Sequence, residues 1–126
     1  MLEQEIKQTI TSALSPLVPN LTDSAPEKPT KSYVLFGFSD AFDMRYKTKV
    51  RQTNSYLTFH IFSVYDGEKE VLEIKDIIDK TMDNLYSLGK ISYFEMSGFN
   101  ILQEEKPLRK HGVLRYRILS TFNKGD

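Results

Sequence analysis

The sequence predicts an α+β fold: a mainly antiparallel sheet with two helices packed on one face, in the order α-β-β-β-α-β-β. Two stretches carry apolar residues at steps of three and four, the period of an amphipathic helix. Around them lie runs of aromatic and β-branched residues, the composition of strands. Each helix has a single apolar stripe, and a sheet face is the surface that buries it most economically. Residues 1–126 are predicted to form one domain, since a chain of this length buries about two-thirds of its unfolded surface around one core.

The first helix is carried by Leu2, Ile6, Ile10, Ala13, Leu14 and Leu17. Pro16 ends it near Ser15, because the residue before a proline avoids the α region. The segment PNLTDSAPEKPTKS follows, and residues 19–32 read as an extended loop. Tyr33 to Phe38, YVLFGF, has the apolar run of a buried strand. Ser39 to Asp43 offers turn residues, MRYKTKVRQT is predicted as a second strand, and Asn54-Ser55 breaks the pattern, so 39–55 forms a basic hairpin region. Tyr56 to Tyr65 is the third strand, with Leu57, Phe59 and Ile61 facing the core and Thr58 and His60 on the other side.

Asp66-Gly67 signals a turn or helix cap, and Val71, Ile74, Ile78, Met82 and Leu85 mark the second helix. Leu88-Gly89-Lys90 is its stop. Ile91 to Leu102 is predicted as a strand with a bulge or close approach at Gly98. Gln103 to Gly112 reads as a charged loop containing His111. Val113 to Phe122 then alternates, with Leu114, Tyr116, Ile118 and Phe122 on one face and Arg115 and Arg117 on the other. Residues 123–126 are expected to fray. The open face of the sheet needs a cover or a partner, because Tyr56, Phe62 and Tyr65 add aromatic surface there.

The composition narrows the function classes. There is no cysteine, which excludes disulfides and thiolate metal sites and fits a reducing cytosol. Seventeen basic residues balance seventeen acidic ones, so the surface as a whole is not tuned for nucleic acid. No apolar run approaches the roughly 20 residues of a membrane-spanning helix. MLEQEIKQTI mixes acids with apolar residues, unlike a signal peptide.

Catalytic constellations are not apparent. No serine sits in a G-x-S-x-G elbow, no H-E-x-x-H spacing exists, and the six glycines are scattered singly. His60 reads as a strand residue on a partly covered face, and His111 is far from it in sequence. Glu68, Glu70, Glu73, Asp76, Asp79 and Asp83 lie on the polar side of the second helix, as a solvated face or as a protein interface. No catalytic, cofactor-binding or metal-binding residue is therefore assigned.

Arg45, Lys47, Lys49 and Arg51 occupy every second position, which on one strand would place four cations on one side. Such a comb could grip nucleic acid, although Tyr46 alternates with the cations instead of sharing their face for stacking. It could guard a sheet edge against pairing. It could also meet an acidic surface. Residues 43–52 hold four cations and one anion, net +3; residues 68–83 hold six anions and three cations, net −3. Opposite patches on one chain let copies associate head to tail. The candidate interface residues are thus Arg45, Lys47, Lys49, Arg51, Glu73, Asp76, Asp79 and Asp83.

The segments DSAPEKPTKSYVLFGFSD, YLTFHIFSVYDGEKEVLEIKDIIDKTMDNL and HGVLRYRILS resemble the small tail-completion, or tail terminator, proteins of long-tailed bacteriophages and prophages. That family has a strand resembling PYVVLG, another resembling TLTFHIWS, and a helix resembling GKKEVLEIADAIREAL. Phe62 stands near the place of the family's usual tryptophan. The resemblance implies a structural virion protein of the tail or neck, assembled in the host cytoplasm. It implies a monomer that becomes a six-fold ring on the tail tube and then meets the head connector or stopper. DNA would be cargo in the lumen, with no catalysis, cofactor or membrane. A head-closure or other neck component is the nearest rival; a nucleic-acid module using the comb with Arg115 and Arg117 is a more distant one.

Overall fold

The computed structural model describes residues 2–26, 30–45, 50–91, 93–105 and 108–123, with the backbone alone at 2, 3, 39–45, 50–54 and 120–123. The elements are α1 (Leu2–Leu14), β1 (Leu21–Thr22), β2 (Tyr33–Arg45), β3 (Val50–Ser63), α2 (Lys69–Ser87), β4 (Phe94–Gln103) and β5 (Lys110–Asn123). They form an α+β fold whose five-stranded sheet has the order β1-β2-β3-β5-β4. Only the short β1–β2 pair among these is parallel.

Both helices bury their stripes against one sheet face. Ile6, Ile10 and Leu14 of α1 and Val71, Ile74, Ile78, Met82 and Leu85 of α2 join one cluster with Val34, Phe36, Leu57, Phe59, Ile61, Leu114, Tyr116 and Ile118. Leu17 departs from its predicted stripe and is 54% exposed. The helix stops at Leu14, and a turn in which the Val18 N–H reaches back to the Leu14 carbonyl brings Val18 into the core instead. The predicted loop 19–32 contains β1, where Asn20 adopts a positive φ of 47° that asparagine tolerates, and its amide donates to the Ser32 carbonyl.

α2 starts at Glu68 as N-cap without a side-chain cap bond, while Asp66 pairs with Arg109 at 3.2 Å. Its end is as the sequence predicts. Gly89 has φ +73°, and the Lys90 N–H bonds the Leu85 carbonyl at 2.9 Å, closing a glycine-dependent helix stop. Gly98 also meets expectation, since the β4–β5 register shifts between Met96 and Gly98.

The strand boundaries around the basic region differ from the prediction. Ser39–Asp43 is strand rather than turn, and Asn54-Ser55 does not interrupt β3. β2 and β3 pair from Tyr33↔Phe62 to Arg45↔Arg51, with one irregularity between Phe38 and Asp40. A bulge there absorbs the extra residue, and ladder pairing overrides the turn preference of Ser39, Asp40 and Asp43. His111 and Gly112 likewise belong to β5 and not to a loop.

That longer β5 has two consequences. A Cβ built at Gly112 would lie 2.5 Å from Val71 Cγ1, so α2 rides directly on the glycine. On the opposite face, β5 sets His111 beside His60, their ring nitrogens 2.8 Å apart, and Glu104 holds the other ring nitrogen of His111 at 2.8 Å. With Glu104 ionised, His111 Nδ1–H donates to it, and His111 Nε2 is left to accept from His60 Nδ1–H. Phe62 stacks between Tyr33 and His111, at centroid distances of 4.7 and 4.2 Å.

Two outcomes follow from these contacts. Gly112→Ala should destabilise the fold by about 1–3 kcal/mol in urea unfolding, because the stiff Val71 cannot rotate away. Combined with Val71→Ala the penalties should be less than additive; strict additivity would remove the close-approach account. His60 is held below the ordinary histidine pKa by burial first, then by the charges of His111 and Arg115. The unfolded chain therefore binds more protons near neutrality, and stability should fall as pH drops through about 6.5. The urea midpoint should decline between about pH 7.5 and about pH 5.5, and His60→Asn should flatten that decline. An equal slope in the variant would assign the effect to other groups.

Candidate functional site

The hairpin of β2 and β3 does not form the predicted comb. Arg45 closes β2, Arg51 lies in β3, and the two are register partners; Lys47 and Lys49 fall outside the described residues. Arg45 and Arg51 therefore lie on neighbouring strands and not on one.

The ladder also continues beyond the rows of the core cluster. Ile118, fully buried, pairs with Ser55, and the four further residues to Arg51 span about 13 Å. β5 accompanies β3 all the way to Val50↔Asn123. The projection is a three-stranded arm, and the third strand supplies the pairing that an isolated hairpin lacks.

The four acids assigned to the interface sit on α2 in unequal settings. Lys69 lies 3.9 Å from Glu73, and Lys80 lies 2.9 Å from Asp76, both as exposed pairs one helical turn apart. Asp79 is tied to Lys75 at 2.6 Å and accepts the Tyr116 hydroxyl as well. Asp83 has no ion pair among the described residues. The helix thus neutralises much of the charge that its acid count suggests.

Asp83 borders a feature that residue spacing could not reveal. A cleft of about 460 Å³ lies between the C-terminal half of α2, the start of β4 and Tyr116 of β5. Its walls are aromatic: Tyr86 meets Tyr93 at 6.4 Å and Phe94 at 6.0 Å, both edge-on, and Phe94 meets Tyr116 at 5.6 Å. Tyr86, Tyr93 and Met96 are about half exposed (48%, 49% and 52%), while Asp79, Asp83 and Glu95 supply carboxylates. Burial, the hydrogen bond to Asp79 and the charges of Asp79 and Asp83 drive the Tyr116 phenol well above its ordinary pKa. The cleft is apolar-walled, and Asp83 is its one carboxylate without an ion pair among the described residues, since Lys75 meets Asp79 and Arg117 meets Glu95.

Elsewhere the chemistry is sparse. The Tyr33, Phe62, His111 and His60 cluster partly covers the helix-free face, and Tyr65 beyond β3 is 61% exposed. Arg117 bonds Glu95 at 2.8 Å on that face. Among the described residues no group of three or more His, Asp or Glu is placed to hold a metal ion.

Comparison with known proteins brings these features into context. No curated protein matches the chain. Among solved structures, a chain from the virion of a native gene transfer agent particle is 16% identical, with a TM-score of 0.55. The alignment covers 96% of this chain and 95% of that one, and shows a shared fold. The family model of tail completion protein gp17 matches residues 9–121, from within α1 almost to the end of β5. The chain belongs to the tail completion protein gp17 family.

Proposed function

We propose that the chain closes the phage tail tube as a ring of copies and joins the finished tail to the head connector or stopper. The family match across residues 9–121 carries this reading, because it spans both helices and nearly the whole sheet. The ring is six-fold in the proteins that the sequence resembles. The long ladder supports the ring, since β2, β3 and β5 stay paired to the rows of Arg45↔Arg51 and Val50↔Asn123, an extended backbone surface that a neighbour could meet. The working parts are then Arg45, Lys47, Lys49 and Arg51 on one side of a contact and the acids of α2 (Glu73, Asp76, Asp79 and Asp83) on the other.

On this reading the protein has no catalytic role and needs no cofactor. It is a monomer before assembly and a virion component afterwards, in the tail or neck. Its partners are its own copies, the tail tube protein and the connector, with DNA passing through the lumen. Of the acids, Asp83 is the best placed for the contact, since the other three are already engaged by lysines of α2.

Electron microscopy of particles made without the protein should show overlong or uncapped tails. Normal tail lengths would overturn the terminator role and leave the head-closure alternative. Lys47→Glu with Lys49→Glu should abolish capping while leaving the urea midpoint within about 0.5 kcal/mol of the parent, as surface changes do. Unimpaired capping by that variant would remove the basic hairpin from the interface.

A further inference from the structure

We infer that the outer edge of β4 pairs with the open edge of β2 in a second copy of this chain, so that the sheets of neighbouring copies join into one. The inference rests on the ring reading above and names the two edges that meet in it. Three observations converge on it.

The first is that both edges are open. β4 ends the strand order, and β1 covers β2 only at Val34 and Leu35, so among the described residues β2 has no outer strand partner beyond Leu35. The Glu104 N–H bonds the Arg109 carbonyl where β4 turns into β5, and alternation from that pair turns the backbone of Phe99, Ile101 and Gln103 away from β5. On the other edge the Val34 N–H reaches outward to the Asn20 carbonyl. The same alternation, carried across the β2 bulge by the β3–β5 register, turns Phe38 and Ala41 outward. FNILQ, residues 99–103, has neither charge nor proline to discourage pairing. The second is direction. Three antiparallel steps lead from β2 to β4, so the two edges run in opposite senses. A copy turned about an axis along the strands keeps those senses, and its β2 meets β4 antiparallel. Repeating that step is head to tail and closes into a ring without a free edge, whereas β4 against β4 would stop at a pair. β1 stands in the rows of Ile101 and Asn100, so the seam is staggered along the strands, as closure of a sheet requires. The third is apolar. Phe38 at one edge and Phe99 and Ile101 at the other share the helix-bearing face, each only partly buried against the core. Joining the edges sets them side by side and removes more of their surface from water.

Backbone amide signals of the full chain are followed by NMR as its concentration rises to about 1 mM, where even a weak joint is populated. The amides of Phe99, Ile101 and Gln103 and those of Phe38 and Ala41 should shift with one shared concentration dependence. Those of Asn100 and Leu102, turned inward to β5, should move less. Gln103→Pro and Ala41→Pro each remove one outward N–H and keep the inner ladder, a position where an edge strand tolerates proline. Either variant alone should lose the shifts at both edges, with a urea midpoint showing that it folds. Adding unlabelled Ala41→Pro to labelled Gln103→Pro should restore the shifts at Phe38 and Ala41 and leave Phe99 and Ile101 unmoved. Shifts confined to β4 in the Ala41→Pro chain would mean that β4 meets β4, and they overturn the inference. So does a parent chain in which neither edge shifts, or one edge shifts without the other; that measurement decides alone if a proline variant does not fold. Shifts that survive Gln103→Pro overturn it as well. Failure of the ring reading has a different signature: normal tails in the absence of the protein, with both edges still responding together in the purified chain.

Discussion

β3 is paired on both sides for almost its full length, to β5 from Val50 to Ser63 and to β2 from Arg51 to Phe62. The rest of the molecule depends on that double register. A slip by one residue would turn Leu57, Phe59 and Ile61 away from the helices and drive Thr58 and His60 into the core. The same register sets Gly112 beneath Val71, which lets α2 approach the sheet closely enough to bury its stripe. It also aligns Tyr116 with Asp79, the polar clasp between α2 and β5. Packing on one face and the His60–His111–Glu104 chain on the other are two outcomes of one ladder.

The ladder continues beyond the core, and the proposed function depends on that continuation. The helices cover the sheet as far as the rows of Leu57 and Ile118, yet β2, β3 and β5 run on together. Beyond those rows a third strand supports the pairing that an isolated hairpin lacks. Sequence that looks suited to turns, such as Ser39–Asp43 and Asn54-Ser55, can be held there as strand.

Much of the fold was legible in the sequence wherever one face of an element is buried. The stripe of α2, the alternation of Leu57, Phe59 and Ile61, the Gly89 stop and the Gly98 bulge all show in local spacing, because burial or backbone geometry imposes the pattern residue by residue. The arm was misread because local propensity is weak against a ladder whose partner lies elsewhere in the chain. The same limit hid the functional features. His60 and His111 are 51 residues apart, and the cleft draws Asp83 and Tyr86 from α2, Tyr93 from the connector before β4 and Tyr116 from β5. Counting charges located the acidic helix, yet only the side-chain geometry separates Asp76, paired with Lys80, from Asp83, which has no ion pair among the described residues.

That separation bears on how copies would associate. A contact made by exposed ion pairs contributes little in salt, typically below about 1 kcal/mol per pair. A backbone seam between strand edges depends less on salt, since each of its hydrogen bonds contributes about 0.5–1.5 kcal/mol without net charge. A single seam of that kind is still a weak joint, and copies in solution would stay apart at ordinary concentrations. On the proposed ring each copy would be held by the tube and by two neighbours, and every joint would close at high effective concentration. Weak joints then add into a stable ring only where a template gathers them. That is the behaviour a cap needs if it is to close finished tubes without assembling on its own.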